Sequence, residues 1–194
     1  MTLRYDTRSR VSTYTQSWVA NADPDFGVFE SITTTTLSTA TSSVAFSSIP
    51  ETYKHLQIRG IARSSRAAFA SDPLLIQVNS DTATNYSWHY LVGDGSSASS
   101  NAGATQSSMT NYLIANNTVS NVFGAFVIDV LDYANTNKYK TFRSLMGVDN
   151  NGAGWIALNS GNWRSTSAIT SITLTAQNGN LMQYSSFALY GIKG

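Results

Sequence analysis

The sequence predicts an all-β protein: an antiparallel two-sheet β-sandwich of jelly-roll type, preceded by an extended N-terminal arm. Strand signals recur about every ten to fifteen residues from Val28 onward, the spacing that is typical of a sandwich or a barrel. No stretch shows the periodicity of an amphipathic helix of ordinary length. About ten strands are expected. We therefore divide the chain into an arm, residues 1–27, and one sandwich domain, residues 28–194.

Residues 1–27 carry aromatic and basic side chains at irregular spacing and end in the breaker cluster NADPDFG. Disordered termini are usually poor in aromatic residues, so we predict an arm that docks on a partner or on a neighbouring copy. A frayed terminus is the alternative. The candidate docking residues are Arg4, Tyr5, Arg8, Arg10, Tyr14 and Trp18.

The next strands are predicted from β-branched segments and from the alternation of apolar and polar residues. The β-branched segments VFESITTTTL and TSSVAF predict two strands, and Pro50 then interrupts the chain. In YKHLQIRGIAR, Leu56 and Ile58 share one side and polar residues the other. LLIQVN and YSWHYLV repeat this pattern. Residues 93–107 contain almost no side chain able to enter a core and are predicted to form a long mobile loop.

Residues 122–148 are predicted to form a central hairpin with a polar turn at residues 134–137. Apolar side chains are expected on both faces of its first strand, so that strand should be covered on much of both faces, by a second sheet or by a neighbouring subunit. One side carries Val122, Phe126, Ile128 and Val130, and the other carries Phe123, Ala125, Val127, Leu131 and Tyr133. Further strands are predicted in GWIAL, around Trp163, in SITLTA and in the terminal MQYSSFALYGI, which should lie inside a sheet.

Composition narrows the function. Charged residues make up 12% of the chain, and the formal net charge is +1. Neither nucleic acid nor an anionic membrane is favoured as a partner, because binding to either requires clustered Lys and Arg. The chain has no cysteine, which excludes disulfides and a Cys nucleophile. No apolar stretch resembles a signal peptide or a membrane helix, so we expect synthesis in the cytoplasm of the cell that makes the protein and no membrane insertion.

Candidate catalytic and metal-binding groups are few. His55 and His89 lie on predicted strands without HExxH, GxSxG or HxH spacing. Asp129 and Asp132 could suggest a glycosidase, but residues three apart on a strand face opposite sides. We predict instead that Asp129 pairs with Arg143 or Lys140 across the hairpin.

The loops GDG, residues 93–95, and DNNG, residues 149–152, lack the remaining ligands of a calcium loop and are predicted to be turns. Arg59, Arg63 and Arg66 are expected on a solvated edge. We therefore predict no catalytic residue, no cofactor and no metal site, although a loop metal stays an open alternative.

The aromatic residues offer a candidate contact surface. An alternating Tyr, Trp, Tyr stripe beside a Ser/Gly/Asn-rich segment is typical of core packing, and also of surfaces that pack subunits or stack on sugars. Packing between subunits is favoured over sugar binding. The candidate glycan or subunit contacts are Tyr86, Trp88, Tyr90 and Asp94.

A string of motifs resembles a known module. FSSIP followed by YKHLQIRGIAR, NYSWHYLVGDG, FGAFVIDVLDYANTNKYKT, SGNWRST and YSSFALYGIKG are similar to a β-rich module of virion proteins in tailed bacteriophages, especially marine and cyanobacterial phages. Such modules often lie near the C-terminus of tail-fibre or other structural proteins. The resemblance covers roughly residues 28–194 and carries over no functional residue.

The resemblance implies a non-enzymatic virion structural protein displayed on the particle surface. We expect a capsid decoration, cement or head-fibre component anchored by its arm to other virion proteins of the capsid or tail. The alternative is a short tail-fibre or receptor-binding protein whose sandwich binds host-surface glycans. A glycan-binding module that acts as a lectin, with or without the virion, is a third possibility. Self-association is expected to give a homotrimer, since closed symmetry is the norm in such assemblies.

Overall fold

The computed structural model describes residues 28–194. This part of the chain forms twelve β-strands. In chain order they are β1 Phe29–Thr36, β2 Ser43–Phe46, β3 His55–Ala62, β4 Ser71–Val78, β5 Tyr86–Gly93, β6 Ala98–Gln106, β7 Met109–Ile114, β8 Gly124–Leu131, β9 Lys140–Asn150, β10 Ala153–Trp163, β11 Ile172–Ala176 and β12 Ser186–Ile192.

The strands pair into two antiparallel sheets, which confirms the predicted sandwich. The large sheet has eight strands in the order β1-β12-β3-β8-β9-β10-β5-β6, and the small sheet has four in the order β2-β11-β4-β7. Of the eleven connections, eight cross from one sheet to the other, as in a jelly roll. The three that stay within the large sheet are β5–β6, β8–β9 and β9–β10. The hairpin β9–β10 is inserted between β8 and β5, and β1 and β12 extend the large sheet beyond β3.

The core lies between the sheets and is made of the alternate residues that face inward. Leu56 and Ile58 of β3 and Ile128 of β8 face Leu74 of β4 and Leu174 of β11, and all five side chains are buried. Full burial of a Leu or Ile side chain contributes about 1.5–3 kcal/mol. Apolar burial therefore supplies the stability of this cysteine-free chain.

The central hairpin is confirmed as β8 and β9, with Phe126 opposite Met146 and Val127 opposite Leu145. Phe126 and Met146 are buried, as predicted for that side. The expectation that Tyr133 shares the outward side of the first strand is wrong. Tyr133 follows the end of β8 and is fully buried, and its hydroxyl donates to the carbonyl oxygen of Pro50.

The prediction of a long mobile loop at residues 93–107 is wrong. Ala98–Gln106 form β6, the edge strand of the large sheet, which pairs antiparallel with β5. An edge strand is held by main-chain hydrogen bonds on one side and does not require large apolar side chains. Because the side chains of β6 are mostly exposed, small and polar residues are compatible with a strand here.

Candidate functional site

The predicted docking residues of the arm lie outside the described residues. These are Arg4, Tyr5, Arg8, Arg10, Tyr14 and Trp18. Their role stays a prediction from the sequence.

Tyr86 belongs to the core and not to a contact surface, because its side chain is fully buried. Its hydroxyl accepts from the backbone N–H of Val78 at 3.1 Å and lies 3.0 Å from the carbonyl oxygen of Asp81, to which it donates. Burial raises the pKa of Tyr86 to about 12. The residue anchors the β4–β5 connection and offers no ring face to a ligand.

Trp88 and Tyr90 share one side of β5, as the alternation predicted. That side is the inner side of the large sheet, and both residues are only partly buried. Their rings stack with centroids 5.5 Å apart and an interplanar angle of 11°. Tyr112 of β7 meets Tyr90 edge-on at 5.3 Å, and burial is the main cause of the raised pKa of Tyr112. The Trp88 ring lies against Gly103 of β6, where an added Cβ would come within 2.5 Å of the ring. These contacts define an aromatic cluster, Trp88, Tyr90 and Tyr112, between the edge strands of both sheets.

Asp94 caps the turn between β5 and β6. Its Oδ1 accepts from the backbone N–H groups of Ser96 at 2.9 Å and Ser97 at 2.7 Å. These bonds, with that from Ser96 the strongest, lower the pKa of Asp94 to about 2. The carboxylate thus stabilises its own turn, as Asx turns do.

The two aspartates considered as a catalytic pair have separate partners. Asp129 accepts from Arg143 Nη2 at 2.8 Å on the outer face of the large sheet, which confirms that predicted pair. Lys140 is not its partner, because the Lys140 ammonium is buried and donates to main-chain carbonyls at Lys138 and Thr166. Asp132 forms ion pairs with Lys138 and with Lys54 beyond the end of β8.

Both histidines are placed on the large sheet. His55 Nδ1 accepts from the backbone N–H of Asp132 at 2.9 Å, which is a structural contact. His89 is exposed on the outer face. Within residues 28–194 no group of three or more His, Asp or Glu side chains lies close enough to hold a metal ion.

The most extensive feature is the outer face of the large sheet. Directly paired residues point to the same side of a sheet, and Leu91, Leu158, Leu145 and Val127 form one continuous row across β5, β10, β9 and β8. Leu158 is 53% exposed and Leu145 is 47% exposed. We use the name apolar outer face for seven outward apolar residues: Ile61, Leu91, Ala125, Val127, Leu145, Ile156 and Leu158.

The apolar outer face contains two shallow depressions. One, of about 290 Å³, lies over Ala125, Val127, Leu145 and Ile156. The other, of about 620 Å³, lies over Leu91 and Leu158 and is bordered by polar residues. Those polar neighbours are His89, Ser100, Arg143 and Ser160.

Sequence reasoning detected the outward apolar residues of β8 but missed their continuation over β9, β10 and β5. The available signal was the outward Leu145, Ile156, Leu158 and Leu91, each one position out of phase with the core residues of its strand. The pairing of these strands, β5 with β10 above all, joins residues far apart in the chain. Without that pairing the four residues look like isolated exposed apolar side chains, which are common.

Comparison of the chain with protein-family models, with curated proteins and with solved structures finds no match. In residues 28–194 there is no helix with the length and apolar character of a membrane span. The fold class, an antiparallel two-sheet sandwich, is therefore the level at which the structure defines this protein.

Proposed function

We propose that this chain is a non-enzymatic structural protein of a tailed-bacteriophage virion that acts by packing against other protein surfaces. The observation that carries the proposal is the apolar outer face. On a soluble sandwich the outward side of a sheet is normally polar, whereas here Leu and Ile side chains form a connected exposed surface. Surfaces of this kind are typical of protein–protein contacts.

The proposed setting is the particle surface, as a capsid decoration, cement or head-fibre component. The resemblance of residues 28–194 to virion modules supports this setting, and the low charge of the chain, 12%, suits a part built from many closely packed copies. Residues 1–27 would anchor the protein to the shell, and the sandwich would be displayed as a homotrimer.

Particle incorporation tests this function. Virions assembled with the full chain should carry the protein at their surface, visible as added density by electron cryo-microscopy. Virions assembled with a chain lacking residues 1–27 should lack that density, while the purified truncated protein keeps its β-rich circular dichroism spectrum. Incorporation of the folded truncated chain at the normal level contradicts anchoring by the arm, and absence of the full-length chain from particles contradicts the proposed function itself.

The aromatic cluster supports a second candidate, a short tail-fibre or receptor-binding protein that recognises host-surface glycans. The stacked rings of Trp88 and Tyr90 are partly exposed, and aromatic faces stack on sugars. A glycan array should then show binding that Trp88→Ala abolishes and Tyr184→Ala, a change at a side chain 70% exposed, preserves. Equal binding by both variants, or no binding by the natural chain, counts against this candidate.

A further inference from the structure

We propose that the apolar outer face packs against the same face of neighbouring copies of this chain around the three-fold axis of the proposed homotrimer. The inference rests on the proposed function in one respect, since that function requires assembly from several copies. It goes further by naming the surface, the partner and the residues nearest the axis.

The first argument is the composition of the face. Its centre is the row Leu91, Leu158, Leu145 and Val127, with Ile156 in the adjacent row. Polar residues border this centre on one side. Protein interfaces have the same organisation, with an apolar centre and a polar rim.

The second argument is charge. In the polar rim of the face, the charges of Arg143 and Asp129 neutralise each other, because Arg143 Nη2 lies 2.8 Å from Asp129 Oδ2. Gln57 donates to Asp129 at 2.7 Å, and Arg59 donates to Gln57 at 2.7 Å. Gln57 is uncharged, so Arg59 keeps its positive charge, which lies over the rings of Phe29 and Tyr190. The Arg143–Asp129 pair adds no net charge, so an identical face can approach the apolar centre without strong repulsion.

The third argument is area. Strands lie about 4.8 Å apart and outward side chains about 6.8 Å apart along each strand, so eight strands with four outward residues each present roughly 1,000 Å². A stable interface buries about 800 Å² on each partner. The whole outer side of the large sheet, of which the apolar outer face occupies the middle strands, is thus large enough for a complete interface with an apolar centre and a polar rim.

Other occupants match the face less well. The arm carries Arg4, Arg8 and Arg10, whereas Asp129, the carboxylate in the rim of the face, is already paired with Arg143. An anionic membrane surface is bound through clustered, unpaired Lys and Arg, whereas Arg143, which borders the apolar outer face, is already paired with Asp129. Both occupants are nevertheless separate outcomes of the test below.

Disulfide cross-linking of introduced cysteines tests the proposed interface in the native fold. At a symmetry axis, identical residues of different copies lie close together, and the natural chain has no cysteine. Leu145→Cys should therefore form a disulfide-linked dimer under mild oxidation. Thr34→Cys is the matched control, since Thr34 lies in the same row of the same face but on edge strand β1, four strands away. No cross-link at Leu145→Cys, or equal cross-linking of both variants, overturns the proposal.

A charge experiment measures the energy of the contact. Leu158→Asp should weaken self-association in sedimentation by about tenfold or more, because a carboxylate would be buried without a partner. Tyr184→Asp, an exposed change elsewhere, should leave the association unchanged, and circular dichroism checks that both variants fold. If Leu158→Asp does not fold, the cysteine experiment still decides. A natural chain that sediments as a monomer overturns the proposal.

The remaining outcomes separate the alternatives. If deletion of residues 1–27 abolishes association and Leu158→Asp does not, the arm forms the interface and the proposal is wrong. If lipid vesicles bind the natural chain and Leu158→Asp abolishes that binding without changing the oligomer, the face binds membrane and the proposal is wrong. A protein that associates through this face but is absent from particles contradicts only the proposed virion function.

Discussion

Trp163 Nε1 donates to Oδ2 of Asp81 at 2.7 Å and thereby joins the end of β10 to the connection between β4 and β5. The same carboxylate accepts from Asn85 Nδ2 at 2.9 Å and from the backbone N–H of Ala83 at 2.9 Å. These hydrogen bonds lower the pKa of Asp81 below 3.8, and the bond from Asn85 contributes most. Asp81 therefore connects the end of β10 to the β4–β5 connection that leads into Tyr86.

Acid sensitivity follows from Asp81. Because its pKa is lower in the folded state, its contribution to stability is present above pH 3.8 and is lost as the pH falls through the folded-state pKa. Asp81→Asn should lower the free energy of unfolding at neutral pH by about 1–3 kcal/mol and reduce the loss of stability below pH 3.8. Urea unfolding across this pH range measures both effects. Asp149→Asn, at an exposed position near the end of β9, is the control. An unchanged acid dependence in Asp81→Asn contradicts the assignment.

Alkaline sensitivity follows from Tyr86. Its pKa rises from 10.0 to about 12 in the folded state, so the stabilisation is complete below pH 10 and is lost as the pH rises toward 12. Tyr86→Phe should reduce the pH dependence of unfolding in that interval and cost about 1–2 kcal/mol at neutral pH through the lost hydrogen bonds. Tyr184→Phe should change neither quantity. Equal alkaline slopes in Tyr86→Phe and the natural chain would show that Tyr86 titrates normally.

Arg63 holds a loop in place. Its side chain is 3% exposed, its Nη1 donates to the carbonyl oxygens of Val119 and Val122, each at 2.8 Å, and burial lowers its pKa. Arg63→Met keeps the apolar stem but removes these donors, at a cost of about 2–3 kcal/mol. Amide hydrogen exchange should become faster in residues 116–122. Arg164→Met, at a more exposed arginine, should not affect this loop, and unchanged exchange in Arg63→Met is the result that contradicts the prediction. The expectation of a solvated edge was wrong for Arg63.

Asn111 and Asn159 form a buried polar contact between the two sheets. Asn159 Nδ2 donates to Asn111 Oδ1 at 3.1 Å, while Asn111 Nδ2 and Asn159 Oδ1 have no partner among the described residues. Asn159→Leu alone should destabilise by about 1–3 kcal/mol, because it removes a donor from a buried amide. The double variant Asn111→Leu/Asn159→Leu should cost less than the sum of the single variants. A double-mutant cycle by urea unfolding measures the difference, and strictly additive costs contradict it.

Much of the fold could be predicted because its signals are local. Alternation placed Leu56 and Ile58 on one side of β3 and Trp88 and Tyr90 on one side of β5, and each pair does share a side. The Asp129–Arg143 pair followed from the hairpin. The edge strand β6 was missed because Ser, Gly and Asn residues give no apolar alternation, and only its pairing with β5 makes it a strand.

The sequence by itself determined the all-β class, the central hairpin and which side chains of most strands face the core, because a strand alternates faces with a period of two residues. Tertiary structure alone decided which strands are neighbours. That order buries Tyr86 and Arg63, and it places Leu91 beside Leu158 and Leu158 beside Leu145, although they belong to separate parts of the chain. The apolar outer face exists only through this long-range pairing, since a row across a sheet is a property of several strands and of none alone.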